Sequence, residues 1–295
     1  MESESSFLPE MADISQEYLE LWDKHNQTPV SPETWDAVIE LAKKEEGNPT
    51  AEKGIYGNVP LNSLLELADK VRLEIDPVKR YELLTEKTPT GELWFDQLDG
   101  LRSALSLQAI SDKIGLRHWQ SGLDLGTGNG SLTHNLETNV DRLVGIDRVA
   151  VFARLAQERK VGAEQYATAD ALNLPFADGS FEFAASLGLL GSFDREQANQ
   201  YVKELTRVLK PQGSYFEAFL NPPADGSLHS EQRRRLANAK GILADLIVDE
   251  VSGRGQKESL SFRELTTIFR DNGFVYSMAM NEDRSAGVLE FKQSQ

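Results

Sequence analysis

Gly122-Leu123-Asp124-Leu125-Gly126-Thr127-Gly128-Asn129-Gly130 is the stretch on which the fold turns. Gly122–Leu125 reads as a short strand of the buried type, and it runs straight into glycine at alternate positions. Glycine takes positive φ without steric cost and carries no Cβ, so a ligand can come close to the backbone of such a turn. Ser131–Thr138 follows as a helix, which makes the glycines a strand-to-helix loop.

Downstream, strands and helices keep alternating. Arg142–Asp147 reads as a second strand and Ala150–Arg159 as a helix. Gln165–Thr168 is a third strand, and Phe181–Leu187 a fourth. Asp194 with Gln197 forms a capping box for a helix whose buried stripe is Val202, Leu205 and Val208. Lys210-Pro211-Gln212-Gly213 ends that helix, and Ser214–Leu220 is a fifth strand. Ser261 with Glu264 caps a further helix, with Leu265, Ile268 and Phe269 facing inward. Phe274–Met280 and Gly287–Phe291 close the chain as a hairpin. Repeated β-α units of this length predict an α/β fold, doubly wound, with a mostly parallel seven-stranded sheet and one antiparallel strand. Ligands of such sheets bind beyond the carboxyl ends of the strands.

Upstream the pattern is helical. Asp13 starts a helix carrying Tyr18, Leu19 and Trp22; Ser31-Pro32-Glu33 starts a second, through Trp35, Val38 and Ile39, that stops near Gly47-Asn48-Pro49. Asn62 is placed as the cap of a third, and a fourth is expected around Trp94–Ile110. Charge breaks at the same place as pattern. The net charge is −16, and residues 1–115 hold 11 Lys/Arg against 23 Asp/Glu. Residues 1–115 are therefore expected to form an acidic helical N-terminal extension or cap on a domain spanning 116–295, with 221–260 as a lid insertion. An acidic surface repels phosphate backbones and anionic lipids, so neither nucleic acid nor membrane is the expected partner. There is no cysteine, which excludes disulfides, thiolate zinc sites and cysteine nucleophiles. No apolar run reaches the ~18–20 residues of a bilayer span. The acidic start, Met1-Glu2-Ser3-Glu4, has no apolar h-region. A cytoplasmic location is the expectation.

The loop does not match a phosphate site. It ends without Gly-Lys-Ser/Thr, and a dinucleotide fingerprint would place its last small residue at Ser131. Asp124 also puts negative charge where a pyrophosphate would sit, so a cationic ligand suits it better. Over residues 95–220, and more weakly through 261–295, the chain resembles the class I S-adenosylmethionine-dependent methyltransferases, whose fold is Rossmann-like. Asp124 with Gly126, Gly128 and Gly130 matches the acidic residue and glycine loop after that family's first strand. Asp147 lies where the family holds the ribose hydroxyls, and Asp170-Ala171 where an Asp meets the adenine amino group. Leu174–Phe181 resembles the approach to the fourth strand. Arg207–Gly213 resembles the turn into the fifth, with Gln212 where glycine is commoner.

The resemblance implies S-adenosylmethionine as cofactor and S-adenosylhomocysteine as product. The cofactor-binding residues would be Asp124, Gly126, Thr127, Gly128, Asn129, Gly130, Asp147, Arg148, Asp170, Ala171 and Leu187. The implied activity is methyl transfer to a small-molecule acceptor, O- or N-methylation being favoured, with a homo-oligomer compatible. Two other classes stay open: a non-catalytic cofactor-binding scaffold, and a methyltransferase docking a basic protein or peptide on the acidic face.

An acceptor whose proton must be removed needs a base. His118 and His134 read as structural or solvated, His25 is in the least placed region, and His229, in the lid segment, is the histidine candidate. Asn221-Pro222-Pro223 follows the fifth strand, not the fourth, and reads as a rigid exit. Arg233-Arg234-Arg235 reads as a solvated face, against an anion site. Trp94 and Phe95 are placed either in the pocket or in a plain core. No His, Asp or Glu cluster has metal-ligand spacing.

Overall fold

In a computed structural model, residues 32–46, 59–89, 93–96, 98, 101–159, 165–220, 239–252, 260–280 and 286–294 are described. The elements run α1 (Pro32–Glu45), α2 (Leu61–Leu73), α3 (Pro77–Leu83), α4 (Leu101–Gly115), β1 (Trp119–Leu125) and α5 (Ser131–Leu136). They continue with β2 (Val140–Asp147), α6 (Ala150–Arg159), β3 (Gln165–Thr168), β4 (Phe181–Leu187), α7 (Arg195–Val208) and β5 (Leu209–Leu220). α8 (Ala239–Ser252), α9 (Phe262–Asp271), β6 (Phe274–Met280) and β7 (Ala286–Gln293) complete them.

By their contacts the described residues fall into two units. One holds residues 105–220, 260–280 and 286–294; the other holds those between 32 and 104 together with 239–252.

The first unit is the α/β domain. Its seven strands lie in the order β3-β2-β1-β4-β5-β7-β6. Pairings from β3 to β5 are parallel, and β7 is antiparallel to both neighbours. The chain order reverses between β1 and β4, so the carboxyl ends of these strands form the switch point. β1 is buried everywhere except Gln120, as a strand covered on both faces must be. One face packs Leu123, Leu125, Tyr201, Leu205, Phe269 and Phe291; the other packs Ile110, Trp119, Phe183 and Phe216.

Local chemistry sets the element ends. The capping boxes at Asp194/Gln197 and Ser261/Glu264 are both formed. Arg207 binds the carbonyls of Leu174 and Phe176 and the carboxylates of Glu204 and Asp178. One guanidinium thus fastens the segment leading into β4 beneath α7. At the turn into β5 the register jumps from Phe181↔Leu209 to Phe183↔Ser214. Gln212 there has φ 66°, the left-handed conformation for which glycine is ordinarily used.

The second unit is helical: α8 packs on α1, α2 and α3. Leu64, Leu67, Ala68 and Val71 of α2 meet Leu243, Ala244, Ile247 and Val251 of α8 in one apolar core. Arg80 and Glu250 form a buried ion pair at 3.3 Å between α3 and α8. The described residues between 32 and 104 and residues 239–252 of the expected insertion therefore form one body. Three sequence expectations shift. The expected third helix begins at Leu61 with Pro60 at its cap, leaving Asn62 inside it. Asp76-Pro77 opens a helix missed in the sequence, with Asp76 accepting from the Val78 N–H at 2.8 Å. The helix placed around Trp94–Ile110 is α4, Leu101–Gly115. Trp94 and Phe95 precede it, in the core of the helical unit.

Candidate functional site

The loop after β1 is shaped from below. Gly126, Gly128 and Gly130 have φ of 71°, 53° and 84°. A Cβ at Gly130 would stand 2.9 Å from the Tyr166 hydroxyl and 3.0 Å from Ala156 Cβ. This third glycine is thus required by packing of the loop on β3 and α6. Gly145, inside β2, is required likewise: a Cβ there would meet Thr127 Oγ1 and the Tyr166 ring at 2.7 Å. Gly126 differs, since its nearest neighbour is Leu189 at an ordinary 3.5 Å.

Asp124 lies beneath the loop and is only 2% exposed. Its Oδ2 accepts from Thr127 Oγ1 at 2.8 Å and Thr133 Oγ1 at 3.2 Å. Burial, partly offset by these hydroxyls, pushes its carboxyl up to about 6. Asp147, at the end of β2, is 9% exposed. Its Oδ2 accepts from the Gly128 N–H at 3.0 Å and its Oδ1 from the Val149 N–H at 2.8 Å. Burial raises its carboxyl, while these two N–H bonds pull against the rise. Asp147 thus ties the middle of the glycine loop to the entry of α6. Each carboxylate oxygen can accept twice, so acceptor capacity is left for a diol.

The Thr127 N–H donates to the Ile146 carbonyl at 2.8 Å, holding the loop against β2. Asn129 Oδ1 accepts from the Ser131 N–H at 3.1 Å and so caps α5. Arg148 is exposed beside Asp147. The Ala169 N–H donates to the Asp147 carbonyl at 3.0 Å, which brings the chain after β3 back to the end of β2. Asp170 there is exposed, with Oδ1 accepting from the Leu172 N–H at 2.9 Å, and Ala171 is buried.

Across the switch point, β4 ends at a half-buried Leu187. Gly188 follows with φ 75°, and a Cβ there would find nothing within 4 Å. Beneath this turn lies a group that the sequence reading missed. Glu217 of β5 is fully buried and accepts from Ser186 and, at 2.6 Å, from the Tyr215 hydroxyl. Its Oε1 accepts from the Leu190 N–H across a long 3.4 Å. Burial pushes this carboxyl up to about 7. The signal was a carboxylate within Tyr215-Phe216-Glu217-Ala218-Phe219, a strand of an otherwise apolar, doubly covered sheet. Gly145 was the matching signal for Tyr166, because glycine inside a strand marks a close approach.

His118 pairs with Asp141 at 2.8 Å on the surface, and His134 is exposed on α5. His229, His25, Asn221-Pro222-Pro223 and Arg233–Arg235 lie outside the described residues. Among the described residues no group of three potential metal ligands stands together, and no helix is long and apolar enough to cross a membrane.

Residues 123–216 match the family model of a methyltransferase domain. The domain built on this sheet has the Rossmann-like fold of the class I S-adenosylmethionine-dependent methyltransferases, which the matched segment resembles. Over 128 residues the chain is 30% identical to the biotin biosynthesis bifunctional protein of Cellvibrio japonicus, covering 43% of this chain and 25% of that one. Over 115 residues it is 35% identical to the ubiquinone/menaquinone biosynthesis C-methyltransferase of Klebsiella pneumoniae, covering 35% and 43%. A probable tRNA methyltransferase of Homo sapiens is 29% identical over 143 residues, covering 48% and 30%. The chain thus spans between a quarter and less than half the length of these curated relatives. Among solved structures, a chain of the Haloferax volcanii complex between a methyltransferase activator and its methyltransferase shares the fold. It has a TM-score of 0.50 and 16% identity, and the match covers 68% of this chain and 95% of that one.

S-adenosylmethionine is the cofactor of this domain class, and the residues present fit it. Gly126 and Gly188 border the switch point without side chains. Asp147 offers a carboxylate to a ribose, and no lysine stands in the loop to favour a phosphate.

Proposed function

We propose that the protein transfers the methyl group of S-adenosylmethionine to a small-molecule acceptor, at oxygen or nitrogen. The observation that carries this reading is the pairing of loop and carboxylate. The glycine loop is bound at Gly128 to Asp147 at 3.0 Å, next to a switch point whose other side is the uncharged turn Gly188-Leu189-Leu190.

When bound, the cofactor supplies a methyl group on a cationic sulfur, which an incoming nucleophile takes by in-line displacement. The chain's own residues bind and align. Asp147 accepts from the ribose hydroxyls, and the Gly126–Gly128 backbone admits the close approach. Asp170 with Ala171 receives the adenine end. Leu187, Gly188 and Leu189 present an apolar wall that keeps water from the reacting atoms. His229 is the proposed base for an acceptor that must lose a proton. The net charge of −16 disfavours a polyanionic one, which supports a small molecule over RNA. It also leaves a basic peptide as the competing acceptor.

The test is incubation with methyl-labelled S-adenosylmethionine and separated metabolite, protein and RNA fractions. Label in the metabolite fraction, on oxygen or nitrogen by NMR of the product, is expected. Label only in RNA, only in protein, or on carbon overturns the acceptor class. Tight S-adenosylhomocysteine binding with no transfer to any fraction means a scaffold.

A further inference from the structure

Glu217 is buried in the middle of the sheet and plays no part in the chemistry above, yet it touches the turn that faces the glycine loop. On β5 it sits in register with Ser186 of β4 and Leu289 of β7. Tyr215, two residues earlier on the same face, stacks on Phe269 of α9 and meets Tyr201 of α7 edge-on. Ser186 Oγ, Tyr215 Oη and Glu217 Oε2 form a triangle in which every pair is in hydrogen-bond contact, Ser186 to Tyr215 at 2.7 Å and Tyr215 to Glu217 at 2.6 Å. Two hydroxyl protons cannot serve three contacts. A proton on Glu217 makes three donors for three contacts and closes the ring, and it spares the sheet a buried charge.

The second oxygen of Glu217 is then free for the backbone. It takes the Leu190 N–H, and the Gly188 N–H stands near enough to act on this carboxyl. The residue between these two donors is Leu189, whose side chain stands against Gly126 of the glycine loop. An N–H group left without an acceptor under this turn would carry a desolvation cost, so the carboxyl is what lets the turn be both buried and irregular.

We propose that Glu217 is a positioning residue of the cofactor site. Locked by Ser186 and Tyr215, it holds the Leu190 N–H next to Gly188 and so sets Leu189 against the glycine loop. The link to a cofactor rests on the methyltransferase reading; the anchoring of the turn does not.

The experiment compares the full chain with Glu217→Gln and Glu217→Leu by two measurements. One is amide hydrogen exchange over residues 187–193 without ligand; the other is S-adenosylhomocysteine affinity by calorimetry. The Gln side chain accepts from the N–H groups and donates to the hydroxyls, so it keeps protection and stays within about 2-fold of wild-type affinity. The Leu side chain does neither, and it speeds exchange over 187–193 and weakens binding by about 10-fold each, with β1 and β2 still protected. Unchanged exchange in Glu217→Leu overturns the anchoring. Faster exchange with wild-type affinity overturns the positioning role, as does failure of Gln to rescue. Should Glu217→Leu not fold, Tyr215→Phe opens the ring while keeping the carboxyl. It is expected to weaken binding by about 3-fold, and no change overturns the proposal. A wild-type chain that binds no S-adenosylhomocysteine, while Glu217→Leu alone loosens the turn, overturns the methyltransferase reading and leaves the anchoring standing.

Discussion

The two sides of the switch point hold their carboxylates in different ways. On the β1–β2 side, Asp147 is met by backbone N–H groups of Gly128 and Val149, and the loop it holds is made of glycine. On the β4–β5 side, Glu217 is met first by hydroxyls, those of Ser186 and Tyr215. Backbone donors favour the ionised form and leave lone pairs facing a ligand. A hydroxyl ring in a sealed core accommodates the proton. The first arrangement suits binding, and the second suits support. Under the proposed function, a cationic methyl donor meets the charged wall and an acceptor meets the neutral one.

The contrast breaks most sharply at Gly128. Gly128→Val places a β-branched residue at φ 53° in the path of the ligand. It is expected to weaken S-adenosylhomocysteine binding by more than ~3 kcal/mol in titration calorimetry, with far-ultraviolet dichroism unchanged. The next effect is on the supporting side and is read by pH. The Glu217 carboxyl is raised from 4.5 to about 7, so the folded state holds a proton that the unfolded chain releases. Its contribution to stability is complete below pH 4.5 and is lost as pH climbs to about 7. Urea unfolding should show wild type losing ~3 kcal/mol across that window relative to Glu217→Gln, which does not titrate. Parallel curves for the two proteins would erase the distinction between the flanks.

On the β1–β2 side, Asp147→Ala removes the proposed ribose acceptor and the tether of the loop together. A loss of about 1–3 kcal/mol in S-adenosylhomocysteine affinity is expected from calorimetry. The smallest effect sharpens the comparison by lying away from both flanks. Gln212, at the turn into β5, holds φ 66° with a side chain. Gln212→Gly relieves that strain, and thermal unfolding should report a gain of about 1 kcal/mol with cofactor affinity unchanged.

Much of this was legible in the residues. The glycine loop, the acid at the end of β2 and the alternating β-α pattern are local signals, since each depends on neighbours within a few positions. The capping boxes at Asp194 and Ser261 were read for the same reason. Other features were not legible because their partners are distant in the chain. Gly130 looks like a ligand glycine, but the Tyr166 hydroxyl and Ala156 decide that it must be one for packing. Asp124 looks like a wall of the pocket, but Thr127 and Thr133 take it beneath the loop. Asp76-Pro77 opens a helix too short for periodicity to register.

The amino-acid sequence alone determined the class of the fold and marked out the glycine loop proposed to bind its cofactor, because hydrophobic period, glycine placement and acid spacing act within one β-α unit. Tertiary structure alone decided which acids are met by hydroxyls and which by backbone N–H groups. It also decided that Glu217 lies beneath the turn facing the loop. The physical reason is that burial and hydrogen-bond satisfaction depend on groups brought together from distant parts of the chain. Ser186 and Glu217 are 31 residues apart in the chain and hydrogen-bonded in the sheet.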